Sequence, residues 1–196
     1  MLRGTNITLG GETVSNVLIG EPAAGGREYT LGIPKGDTHI WTDTLVSFWG
    51  RTWRTIGLPM RGMDENIPLC WNEKVRVRLC ESTGGVTVFE KGTYTPHFFA
   101  YAEWRDLRGI RTDKLGAQTA DAVNALIYSC SVGEYIARAG DLIVSGECSF
   151  TFDTSTGQAV SASMAAFRQA YPGFATVSTV AAELVGVKPD IIITAR

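Results

Sequence analysis

The stretch Asp43-Thr-Leu-Val-Ser-Phe-Trp-Gly50-Arg-Thr-Trp-Arg-Thr-Ile56 decides how this chain reads. An acidic start leads into an apolar run, a central glycine breaks it, and a run of β-formers returns. That is the pattern of a β-hairpin. The pattern recurs at Asp141-Leu-Ile-Val-Ser-Gly146-Glu-Cys-Ser-Phe-Thr-Phe152. Each copy is followed, after an irregular stretch, by one more β-rich segment, Lys74–Leu79 and Asp190–Thr194. In the outgoing arm of the first copy, Leu45, Ser47 and Trp49 face one side and Val46 and Phe48 the other, so the strand is expected to be covered on both faces.

Working outward, Ile7–Leu9, Thr13–Ile19 and Glu28–Ile33 read as strands, punctuated by Gly10-Gly11 and by Glu21–Gly26. Asp64–Trp71 reads as irregular. Glu81-Ser-Thr-Gly84-Gly85 is short, polar and glycine-rich, and a new strand, Val86–Phe89, starts directly after it. The expectation is therefore a mainly β protein with two small barrel or sandwich domains related by duplication, residues 1–80 and 86–196. In the second domain Pro96–Arg105 is β-rich and aromatic, and Asp106–Ala120 reads as a loop. Ala122–Cys130 fits a strand or a helix by spacing; the β-formers at its end favour a strand. One helix is expected over 161–171, with Ser161 as N-cap, Met164, Phe167 and Tyr171 on one face, and Pro172-Gly173 as the stop. Ala175–Val180 and Ile191–Thr194 close the second sheet.

Composition sets limits on function. The 196 residues are 44% hydrophobic and 19% charged, with 22 glycines, which is an ordered, loop-rich globular composition. The formal net charge is −2 and no basic run occurs, so the electrostatic footprint of a dedicated nucleic-acid binder is missing. The N-terminus has no apolar core of signal-peptide length and no segment is long enough to span a bilayer, so cytosolic synthesis and reduced thiols are expected.

The four cysteines, Cys70, Cys80, Cys130 and Cys148, have no CxxC spacing, and the two histidines, His39 and His97, stand alone. Neither a zinc site nor a thiol–imidazole pair follows from such spacing, and buried apolar cysteines fit better. Asp37 and Asp43 read as turn residues rather than as a catalytic carboxylate pair. The paired glycines precede no Lys-Ser/Thr tail and are turns, not phosphate loops. No catalytic, cofactor or metal-ligating residue is nominated, and binding is expected in place of catalysis.

Residues 29–79 resemble the head-closure (stopper) and minor capsid proteins of the neck of tailed bacteriophages. The carrying stretches are Tyr29-Thr-Leu-Gly-Ile-Pro-Lys-Gly-Asp-Thr-His39, Val46-Ser-Phe-Trp-Gly-Arg-Thr-Trp-Arg-Thr-Ile-Gly57 and Ile67-Pro-Leu-Cys-Trp-Asn-Glu-Lys-Val75. The second half is similar to another neck or minor capsid protein, through Val86-Thr-Val-Phe89, Thr95-Pro-His-Phe-Phe99, Glu103-Trp104, Gly140–Gly146 and Thr176–Val180. The chain thus looks like two such units joined. The resemblance implies small β-barrels that act by contact. Copies form a ring in the virion neck, between portal and adaptor proteins above and tail proteins below, with DNA in the axial channel and no membrane. Synthesis and assembly take place in the cytoplasm of the host bacterium.

On this reading Arg51, Trp53, Arg54, Arg76, Arg78 and His39 are the candidate subunit-contact residues, since aromatic and arginine side chains carry binding energy at interfaces. The alternative for Arg76 and Arg78 is a solvated strand that discourages strand addition, and for His39 a loop residue. Two rival functions stand beside the neck ring: a tail-completion or tail-terminator protein, and a carbohydrate-binding β module using some of Trp41, Trp49, Trp53, Trp71 and Trp104.

Overall fold

The computed structural model describes residues 4–21, 28–61, 71–113, 116–184 and 188–196. The chain is mainly β, and it divides into two compact units: Met1–Glu81 with Leu184–Pro189, and Ser82–Glu183 with Asp190–Arg196. The irregular stretch expected at Asp64–Trp71 lies outside the described residues except for Trp71, as does most of the Glu21–Gly26 turn.

The first unit is a closed antiparallel barrel. Its strands are β1 (Thr5–Leu9), β2 (Glu12–Gly20), β3 (Glu28–Pro34), β4 (Leu45–Phe48), β5 (Arg51–Arg61) and β6 (Trp71–Leu79), in the order β1-β2-β3-β6-β5-β4. Closure needs one buried face per strand, and the alternation in the sequence supplies it. Ile7, Leu9, Val14, Val17, Leu31, Ile33, Val46, Phe48, Trp53, Val75 and Val77 fill the interior, with Trp41 joining from the β3–β4 connection. On β4 only Val46 and Phe48 are buried, whereas Ser47 and Trp49 are exposed. The expected burial of both faces is therefore corrected: a barrel wall has its second face in solvent.

The second unit is a seven-stranded sheet. It comprises β7 (Val86–Phe89), β8 (Pro96–Phe99), β9 (Ala102–Asp113), β10 (Gly116–Ile127), β11 (Leu142–Ser145), β12 (Ala175–Leu184) and β13 (Pro189–Ala195), ordered β8-β7-β11-β12-β13-β10-β9. The two outermost strands, β8 and β9, are joined by two residues, Ala100 and Tyr101. The sheet must therefore curl round on itself, and one core forms inside it. That core holds Val86, Val88, Phe99, Ala102, Ala125, Ile127, Ile143, Ala175, Val177, Ile191 and Ile193.

Helix α1 (Gly157–Ala170) covers the opposite face of β7 and β11. Phe167 is fully buried there against Phe89, Leu142, Val144, Cys148 and Phe152. Val88 and Ile143 belong to the inner core while Phe89, Leu142 and Val144 belong to the outer one, so both faces of these two strands are buried, as their unbroken apolar runs require.

Three expectations change here. The helix starts at Gly157 rather than Ser161. Thr156 Oγ1 caps it by accepting from the Ala159 amide at 3.1 Å, and Ser161 instead donates back to the Gly157 carbonyl from inside the helix. The segment Asp106–Ala120 is not a loop but most of a long ribbon, β9 paired with β10 from Ala102↔Ile127 to Asp113↔Gly116.

The second copy of the hairpin pattern forms only its outgoing arm, β11. Beyond Gly146 the chain leaves the sheet, and Phe150 and Phe152 pack among the rings beneath α1. The β-rich segment that closes the second copy, β13, lies between β12 and β10, whereas its counterpart in the first copy, β6, pairs with the return arm β5. The repeated sequence pattern thus does not extend to a repeated topology.

Candidate interaction surface

The β4–β5 hairpin carries three of the six residues nominated from the sequence, Arg51, Trp53 and Arg54. Phe48 pairs with Arg51, leaving Trp49 and Gly50 as a two-residue turn with φ of +51° and +68°. Positive φ at both positions is what a type I′ turn requires, and its twist matches that of the strands. Glycine accepts this freely. Tryptophan does not, since a Cβ at positive φ costs about 1–2 kcal/mol.

The strained Trp49 ring is 61% exposed. It rests edge-on against Tyr29 at 5.7 Å and Phe48 at 5.1 Å between ring centres. Beneath them Trp53 stacks flat on Phe48 at 4.7 Å, and its indole N–H donates to the Phe48 carbonyl at 3.3 Å. A column of aromatic rings therefore runs from the barrel core to its surface and ends in an exposed indole.

The nominated residues separate by depth. Trp53 is a core residue and Arg54 is 2% exposed, so neither offers a surface; in this the structure corrects the sequence reading. Arg51 is exposed beside the turn. Arg76 and Arg78 alternate with the core residues Val75 and Val77 on β6 and face outward. Glu28, opposite Arg78 on β3, accepts from Arg78 at 2.6 Å and from Arg76 at 3.4 Å. These partly exposed pairs contribute no more than about 1 kcal/mol. Trp49 is not among the residues nominated for subunit contact and entered only with the five tryptophans of the carbohydrate-binding alternative. The sequence signal that could have found it is a bulky aromatic directly before glycine at a hairpin tip, where asparagine is the usual choice.

His39 sits apart, in the connection from β3 to β4. Its Nδ1 is 2.6 Å from Asp37 Oδ1 and its Nε2 is 3.3 Å from Glu12 Oε2. The hydrogen bond with Asp37, aided by both nearby carboxylates, raises the imidazole above its usual pKa. Desolvation works against ionisation of Asp37, yet hydrogen bonds from the Trp41 indole at 2.7 Å and from His39 outweigh it and hold the carboxyl below its usual range. The cluster ties the start of β2 to the β3–β4 connection by charge.

No protein-family model, curated protein or solved structure matches this chain.

The second unit holds an open cleft of about 540 Å³ lined by His97, Phe98, Phe99, Ser131, Gly133, Glu134 and Tyr135. The His97 ring lies flat on Tyr135 at 3.9 Å, and the Tyr135 hydroxyl donates to Asp141 at 2.6 Å. Burial, then this hydrogen bond, pushes the Tyr135 phenol well above its usual pKa. Asp141 also accepts from the backbone N–H groups of Lys91 and Arg138, so it acts as a fixed strut and not as a reacting group. Among the described residues no group of three or more His, Cys, Asp or Glu could hold a metal ion, and no helix is long and apolar enough to cross a membrane.

Proposed function

We propose that this chain is a structural protein of the tailed-phage neck, whose copies form a ring that closes the DNA-filled head and joins it to the tail. The proposal assigns it contacts with portal or adaptor proteins on one side, tail proteins on the other, and DNA in the channel. It places the chain in the virion and gives it no chemistry.

The observation that carries this reading is where the resembling residues fall. Residues 29–79 span β3 to β6, and these four strands are contiguous in the barrel as β3-β6-β5-β4. The β4–β5 hairpin among them turns at the exposed, strained Trp49, with the exposed Arg51 beside it. Strain kept at an exposed aromatic position points to function, because the ring contacts Trp49 makes within the fold do no more than offset it. An indole next to arginine is the composition of an interface hot spot.

Deleting the gene in the virus that encodes it tests the reading. The expected result is filled heads and complete tails left unjoined in one lysate. Defective tails beside normal filled heads would favour the tail-completion role instead. Normal joined particles would overturn both.

A further inference from the structure

Beyond the ring reading, and independent of it, we propose that the cleft of the second unit is a peptide site. It takes an extended segment of a partner protein along the free side of β8 and holds an arginine side chain of that segment against Glu134 and Phe98. Strand β8 ends the sheet and pairs only with β7. The Glu90 N–H donates to the Thr95 carbonyl at 3.0 Å, so the chain at Thr95 turns its carbonyl towards the β7 side. By antiparallel alternation His97 and Phe99 turn their backbone groups the same way, and Pro96 and Phe98 turn theirs outward. Among the described residues nothing bonds the Phe98 N–H or carbonyl.

The chain comes close to supplying a strand on that outward side. β10 pairs with β9 as far as Ile127↔Ala102, and the Tyr128 N–H still donates to the Tyr101 carbonyl at 3.1 Å. There the 3₁₀ turn Ser129–Ser131 breaks the ladder. It is pinned by the Ser129 N–H, which donates to Asp190 at 2.8 Å, and by Ser131 Oγ, which accepts from the Tyr101 N–H at 3.1 Å. The following residues pass β8 without pairing, and the cleft of about 540 Å³ opens between them. Its walls are His97, Phe98 and Phe99 on one side and residues of 131–135 on the other. His97 and Phe99 lie on one face of β8 and Phe98 on the other, and no described residue of β7 lines the cleft, so it follows the open edge.

The lining selects the occupant. Glu134 is its single acidic residue, it is exposed, and it has no ion-pair partner among the described residues. No lysine or arginine stands in the walls to neutralise it. The Phe98 ring beside it is 43% exposed. The cleft thus combines a free carboxylate, a free backbone carbonyl and an open aromatic face. A guanidinium fits all three, because it only donates, stays charged and stacks flat on a ring. An acidic segment would meet repulsion from Glu134, and a purely apolar one would leave it unused. The Phe98 N–H and carbonyl are the pair that an added strand uses to join a sheet edge. Pro96 has no N–H, which confines that pairing to a single rung and the occupant to a short segment.

Calorimetric titration of the full chain with a capped pentapeptide, Thr-Val-Arg-Val-Thr, and with its glutamine counterpart tests this. The arginine peptide is expected to bind about tenfold more tightly, since the glutamine peptide lacks the charge-assisted bond to Glu134. Glu134→Gln, a change at an exposed position, should abolish that preference and leave the circular dichroism spectrum as it is. A version of the arginine peptide methylated on its backbone nitrogens cannot donate to the Phe98 carbonyl and should bind about fivefold more weakly. Arginine amide alone, the control for a small cation, should bind more weakly still. In ¹H–¹⁵N spectra the arginine peptide should shift the Phe98 amide. No binding of the arginine peptide, an undiminished preference in folded Glu134→Gln protein, or arginine amide or the methylated peptide binding as tightly as the parent would overturn the proposal.

Discussion

Replacing Trp49 with asparagine separates fold from contact. The indole is held at a φ of +51° in a turn whose next residue is Gly50, and it is 61% exposed. Asparagine tolerates the left-handed region, and Asn-Gly is the preferred type I′ pair, so the change recovers about 1 kcal/mol of backbone strain. It also removes two edge-on ring contacts, with Tyr29 and Phe48. Such pairs contribute about 0.5–1.5 kcal/mol each, and these lie at the low end because one ring is largely solvated. The two effects nearly cancel, and the net change is within about 1 kcal/mol of zero. Urea unfolding followed by far-UV circular dichroism reads it. Trp53→Ala, in the same hairpin but 5% exposed, is the contrast, with an expected loss of about 3–5 kcal/mol. If the strained indole is retained for contact, Trp49→Asn should weaken joining of heads to tails about thirtyfold, the hot-spot range. A loss of fold stability near that of Trp53→Ala, or unimpaired joining, would refute the reasoning.

Three further outcomes are expected. Phe167→Ala removes the ring at the centre of the cluster under α1, which has five aromatic neighbours within 5.4 Å between ring centres. It should cost about 3–5 kcal/mol and lower the helical signal in circular dichroism at temperatures where wild type is intact. Gly85→Ala places a methyl group 2.6 Å from the Phe99 carbonyl oxygen at a φ of +83°, and should destabilise the second unit by about 2 kcal/mol or more, read by thermal unfolding. The raised pKa of His39 means that its contribution is complete below about pH 6.5 and disappears as pH rises through its folded value. The Tm difference between wild type and His39→Gln should therefore be larger at pH 5.5 than at pH 9, and an equal difference at both would contradict the cluster's role.

The barrel was the more legible half of the sequence. β1, β4 and β6 alternate because one face is buried and the other wet, and the double glycine and the Trp-Gly pair mark its tight turns. The β9–β10 ribbon was misread because Asp106–Ala120 carries no apolar period in the sequence. Arg108, Gly109, Arg111 and Asp113 then look like loop residues. Phe150-Thr-Phe152 was misread for the opposite reason. Its alternation is that of a strand, but both rings are consumed by the cluster beneath α1, and a segment that buries its rings this way needs no ladder.

The interface residues were read by type, and type does not report depth. Trp53 and Trp49 are four positions apart on one hairpin, and what separates core from surface is that the second occupies the turn itself. The helix start slipped because Thr156 and Ser161 are equally good caps, and the small residues between them carry no stripe to decide which is used.

The claim that matters most is that this chain works as a built part of the virion neck. Gold labelling of purified particles with an antibody to the barrel tests it most directly. The account predicts label at the head–tail junction of intact particles and on filled heads that lack tails. Particles free of label, with the protein recovered only in the unassembled fraction of the lysate, would contradict it.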